Sequence, residues 1–132
     1  MKRWIWLDAL DIAAYHAETI AAHGGRAGLR DRGLLESALA RPRNLSAYRE
    51  PNAFDLAAAL AFGIAKNHPF VDGHKRVALI ASVTFLELNG WRFVAKEEDT
   101  VMAFLDSAAG KITKPEFSRW LQSNSRRPVR KS

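Results

Sequence analysis

The chain has 132 residues, 48% hydrophobic and 26% charged, with no cysteine and a net charge of +6. That profile predicts one globular domain with a single core, excludes disulfides and thiolate metal sites, and fits a reducing interior, with the cytoplasm as the expected location. Arg126, Arg127, Arg130 and Lys131 supply four of the six positives, which leaves +2 elsewhere and no helix with a basic stripe, so specific nucleic-acid binding by the domain is not expected.

Met1 to Asp8 is basic, but its apolar stretch is too short for a secretory signal, and no run approaches the roughly 20 residues of a membrane span. Trp4-Ile5-Trp6-Leu7 reads as a short apolar lead-in, extended or packed against the first helix. Asp8 is a good N-cap, and Leu10, Ala13, Ala14, Ala17, Ile20 and Ala21 predict a first helix over about 9–23, stopped by Gly24-Gly25. His16 and His23 share a face of it and read as surface or partly buried histidines. The glycine-rich Gly24 to Gly28 lacks the preceding strand and the lysine of a P-loop. Asp31 caps a short helix through Leu34, Leu35, Ala38 and Leu39, ended by Pro42. Arg41 to Pro51 reads as a polar loop, either functional or a plain connection. Asn52 opens a third helix, Ala53 to Lys66, apolar on most sides. A fourth, about 74–89, is apolar almost all round and ends at Asn89-Gly90. Trp91 to Val94 is a short extended piece, half of a small hairpin. An amphipathic helix runs from Glu97 to Ala109, and Thr113 to Glu116 is a capping box that opens a last helix with Phe117, Trp120 and Leu121 inside. The expected architecture is all-α: one domain of about six helices over residues 1–123 with two buried central helices. A basic segment over 124–132 is expected to be disordered.

Between the two central helices lies His68-Pro69-Phe70-Val71-Asp72-Gly73-His74-Lys75-Arg76. Polar groups this dense are not needed to turn a corner. A neutral imidazole at His68 can take a proton from a hydroxyl. Phe70 plugs into the core and stiffens the turn. Asp72 is a hard oxygen ligand suited to one place on a Mg²⁺ that also binds phosphates. Gly73 permits close backbone approach, and the following helix start offers free N–H groups to an anion. Lys75 and Arg76 sit in that first turn, where cations oppose the macrodipole unless an anion is present. The alternative is structural: His68 caps one helix, Asp72 the next, and the cations are solvated. A transition-metal site on His68, Asp72 and His74 lacks the usual helical spacing of histidine ligands.

The same nine residues resemble the core motif of the Fic/Doc (Fido) superfamily. That motif runs His-Pro-Phe, two residues, then Gly-Asn-Gly-Arg in the AMP-transferring Fic branch. In the death-on-curing (Doc) branch it commonly closes Asn-Lys-Arg, as Lys75-Arg76 does here. His16, His23-Gly24-Gly25, Gly28 to Asp31, Gly33 to Leu39 and Phe85 to Gly90 are similar to further Doc landmarks. The resemblance implies that His68 is the general base, that Asp72 holds Mg²⁺, and that Gly73, His74, Lys75 and Arg76 bind nucleotide phosphates. It places a target-aligning flap at Arg41 to Pro51. It also implies ATP as phosphoryl donor, a threonine of elongation factor Tu as acceptor, blocked translation, and neutralisation by a Phd-like antitoxin. Two departures stand out. Leu79 occupies the place of a second arginine in the AMP-transferring branch, and His74 replaces the motif asparagine. The alternatives are therefore a Fic-type AMP transferase, or an attenuated, non-catalytic Fido-fold module that binds an antitoxin.

Overall fold

Short polar residues start most of the helices. In the computed structural model, which describes residues 3–48 and 51–127, Asp8 and Asp11 exchange side-chain and backbone hydrogen bonds of 2.9 and 3.0 Å. This capping box opens α1 (Ala9–His23), and Gly24 closes it. The Asp31 carboxylate accepts from the Leu34 N–H at 3.0 Å at the head of α2 (Arg32–Tyr48). Asn52 and Asp55 form a second capping box at α3 (Ala53–Asn67), which α4 (His74–Leu88) follows. A third box, Thr113 with Glu116, precedes α6 (Lys114–Ser123), itself preceded by α5 (Glu97–Ala108). The Thr113 backbone N–H, and then its hydroxyl, hold the Glu116 carboxyl below the usual carboxylate range. Two-residue strands β1 (Arg92–Phe93) and β2 (Ser125–Arg126) complete the described residues. The domain is all-α, with six helices among the described residues and one small antiparallel pair. No described helix is long and apolar enough to cross a membrane.

The core forms around α3, which packs against α2, α4 and α6. Leu56, Ala57, Leu60, Ala61 and Ile64 of α3 are buried. Phe104 from α5 and Phe117 from α6 pack against each other and against Phe62. Helix α4 buries Val77, Ala78, Ala81, Phe85 and Leu86 but exposes Ile80 and Leu88, so it is open along one side rather than enclosed all round. Leu10 is also exposed, although it shares the spacing of core positions. The lead-in is tied down: the Asn89 amide donates to the Ile5 carbonyl at 3.0 Å and its oxygen accepts from the Ile5 N–H at 2.9 Å.

Three expectations are corrected. Pro42 does not end the second helix, which continues to Tyr48 with Pro42 buried inside it. Proline lacks the amide that would bond the Ala38 carbonyl. That carbonyl lies 3.2 Å from where a Cβ on Gly63 would stand, so the bare backbone of α3 closes over the bond that proline omits. Most of the expected loop from Arg41 to Pro51 is consequently helix; Arg49 and Glu50 lie outside the described residues. Trp91 to Val94 is not half of a local hairpin. Its strand pairs with the far end of the chain, Phe93 opposite Ser125 and Arg92 opposite Arg126. The segment expected to be disordered from 124 is thus structured as far as 127: Ser125 is buried, and the Arg127 guanidinium stands 4.2 Å over the Trp91 ring. Residues 128–132 lie outside the described residues.

Candidate functional site

Helix α3 stops because Pro69 disfavours a helical residue before it. His68, the cap residue, turns left-handed at φ 48° and ψ 55°, the only described non-glycine residue with positive φ. For a residue with a Cβ this costs about 1–2 kcal/mol, so neighbouring bonds must impose it. Arg30 supplies them. Its Nε donates to the His68 carbonyl at 2.8 Å, and its Nη2 donates to the Asn67 carbonyl at 3.1 Å. The Arg30 and Asp31 amides both donate to the Pro69 carbonyl, at 2.7 and 3.0 Å. Asn67 ties the same point to α2, donating to the Leu34 carbonyl at 2.9 Å and accepting from Arg41 at 3.2 Å. Phe70 is buried, as expected, while His68 itself is exposed. The backbone beneath the imidazole is held, and the residue is exposed.

Beyond Phe70 the chain meets α1 and the glycine segment. Asp72 does not cap α4: the cap residue is Gly73, left-handed at φ 75°, and no side chain bonds the helix start. The exposed Asp72 carboxylate instead accepts from two backbone amides, Gly73 at 2.9 Å and Arg26 at 3.3 Å. His16 of α1 is buried, stacks on Phe70 with 4.0 Å between ring centres, and donates from Nε2 to the Asp72 carbonyl at 2.6 Å. Gly24 to Gly28 is therefore a strap over the motif, with the Val71 amide donating to the Gly28 carbonyl at 3.1 Å. Gly25 is required where it stands. At φ 115°, a Cβ would sit 2.9 Å from Asp72 Oδ2 and 3.1 Å from Ile20 Cδ1. Gly25→Ala is expected to destabilise the domain by about 2 kcal/mol, measured by urea unfolding.

With no side-chain cap, the first amides of α4 can be met by an anion. The first turn contains no acidic residue. Lys75 and Arg76 are exposed there, and Arg76 touches Glu97 of α5 at 3.9 Å, a pair whose side chains are both at least half exposed and which holds weakly. Beside this helix start opens a groove of about 290 Å³ lined by Arg76, Leu79, Ile80, Val83, Val101 and His23. As to metal, an ionised carboxylate has about four lone-pair sites, and two amides occupy two at Asp72, which leaves room for one ligand bond to Mg²⁺. Among the described residues, no three His, Cys, Asp or Glu side chains cluster as a metal cage.

The structure places His68, Asp72 and Gly73 in the α3–α4 turn and Lys75 and Arg76 in the first turn of α4, which His74 opens. Sequence reading assigned no site role to His16, Arg30 or Gly25. Arg30 and His16 act on backbone carbonyls 38 and 56 residues away, and such contacts leave no local pattern.

A family model described as the Fic/DOC family matches residues 6–86. Over 78 residues the chain is 46% identical to the protein named Toxin Doc from Mycolicibacterium smegmatis, an alignment covering 56% of this chain and 58% of that relative. The chain thus spans less than two thirds of the length of the curated relative it matches. The matched span holds the motif, both segments that tether it and the helix that follows it, and the chain belongs to the Fic/DOC family.

Proposed function

We propose that this chain is the toxin of a type II toxin–antitoxin system, a cytoplasmic protein kinase that moves the terminal phosphoryl group of ATP to a threonine of elongation factor Tu. Its partner is then a Phd-like antitoxin. One observation carries the reading: an exposed histidine, fixed in a left-handed turn at the end of α3, is joined by a short turn to a helix start with no side-chain cap and two cations. The family match and the name of the curated relative support it.

In this reading His68 accepts the threonine proton as the hydroxyl oxygen bonds to the γ-phosphorus. The bond from that phosphorus to the bridging oxygen breaks, and ADP leaves with the electron pair. The α4 amides, Lys75 and Arg76 hold the phosphates through hydrogen bonds and charge. Mg²⁺ would be held by Asp72 and would neutralise phosphate charge when bound. Lys75 and the buried Leu79 both disfavour AMP transfer, since that branch has glycine and arginine at those positions. Incubation with ATP and elongation factor Tu, followed by intact-mass measurement, is expected to add a phosphoryl group to the factor. A nucleotidyl increment would move the assignment to AMP transfer, and no increment would sink both.

His74 favours one further reading, a non-catalytic module that binds an antitoxin, because asparagine stands there in the motif. Growth arrest that appears only in His74→Asn would establish it. Arrest by the unaltered chain that His68→Ala removes would exclude it.

A further inference from the structure

The 72–73 peptide unit is pinned at both polar ends. Its N–H donates to the carboxylate of Asp72, and its carbonyl oxygen accepts from His16 Nε2 at 2.6 Å. A carbonyl offers no proton, so Nε2 must carry one. His16 comes from α1, is 4% exposed, and its ring lies nearly parallel to that of Phe70, with an interplanar angle of 9°. The next carbonyl along, that of Gly73, takes the Val77 amide at 3.1 Å as the first full helical bond of α4. Rotating the 72–73 peptide would therefore turn Gly73 out of its left-handed conformation and unwind the turn that presents amides to an anion.

We propose that His16 is a positioning residue for the anion-binding start of α4. It acts by holding the Asp72 carbonyl, and it touches no substrate. This role rests on the phosphate site proposed above and explains a feature of it. The Asp72 carboxylate accepts from the Gly73 and Arg26 N–H groups and has one further place for a cation. When a cation draws on the carboxylate, the N–H end of the peptide is held less firmly. His16 then holds the same peptide from its carbonyl end.

Two variants separate donation from packing. His16→Phe keeps an aromatic ring against Phe70 and removes the donor; His16→Gln places an amide N–H near the position of Nε2. The readouts are affinity for inorganic phosphate and for ATP, and amide hydrogen exchange at Val77 compared with Ile80, deeper in α4. The expected result for His16→Phe is at least tenfold weaker binding of both anions, with exchange at Val77 accelerated at least tenfold more than at Ile80. His16→Gln should recover most of each. Should His16→Phe fail to fold, His16→Asn, whose amide is too short to reach, is compared with His16→Gln. Equal loss in the donor-free and donor-retaining variants, or exchange rising alike at Val77 and Ile80, would mark His16 as packing only and overturn the proposal. If the unaltered chain binds neither anion, the phosphate site fails on its own, and the exchange comparison still decides the role of His16.

Discussion

His68→Ala is expected to lower phosphoryl transfer by about 10²- to 10⁴-fold, the usual contribution of a positioned general base. The domain should remain folded, because the Arg30 guanidinium and the Arg30 and Asp31 amides hold the turn through backbone carbonyls that the substitution leaves in place. Rates at saturating ATP and target, with a circular dichroism melt of the same sample, separate chemistry from folding. The left-handed backbone adds an internal control. Alanine retains the strain at φ 48° and glycine relieves it, so His68→Gly is expected to be about 1 kcal/mol more stable than His68→Ala while equally inactive. Equal melting temperatures for the two would mean that the turn is not strained.

Gly63→Val is expected to have the largest effect on stability, a loss of about 3 kcal/mol. Even a bare Cβ there would lie 3.1 Å from Arg41 Cδ, 3.2 Å from the Ala38 carbonyl oxygen and 3.3 Å from Ala38 Cα. The last two are backbone atoms of a buried stretch and have nowhere to go. Removing glycine from a helix interior gains at most about 1 kcal/mol in propensity, which does not offset the clash. For a domain of this size each kcal/mol moves the melting temperature by roughly 4 °C, so a drop of about 12 °C is expected in a thermal melt. Function should suffer too, since Arg41, displaced from beside Gly63, also bonds Asn67, the residue before His68.

What the sequence made legible were features set by neighbours in the chain. Asp8, Asp31, Asn52 and Thr113 each announce a helix start by a side chain that reaches an amide three residues on. The unbroken apolar run of α3 announces its place at the centre. Pro42 misleads because proline normally breaks a helix, and here it sits buried inside α2, where Gly63 of the facing helix lies against the Ala38 carbonyl that proline leaves unbonded. The β1–β2 pair is hidden because two residues carry no periodicity and their partners lie 32 and 34 residues apart. In the site, the motif residues declared themselves by their density. What holds them did not, because Arg30, His16 and Gly25 act across tertiary contacts on backbone or carboxylate oxygens.

The β1–β2 pair has a consequence for how the molecule comes apart. It joins the ends of a chain segment that contains α5 and α6, with the Val94 amide donating to the Asn124 carbonyl at 2.8 Å as a further stitch. A helix near a chain end ordinarily frays turn by turn. Here α6 cannot peel from α3 without also parting the strands, exposing Ser125 and Leu121, and separating Phe117 from Phe62. The region is therefore expected to open as one cooperative unit, read as similar exchange free energies for slow amides of α5, α6 and both strands. Although it follows the span matched by the family model, this segment supplies a wall of the core around α3. Breathing at that end of the chain is thus transmitted to the helix that leads into His68.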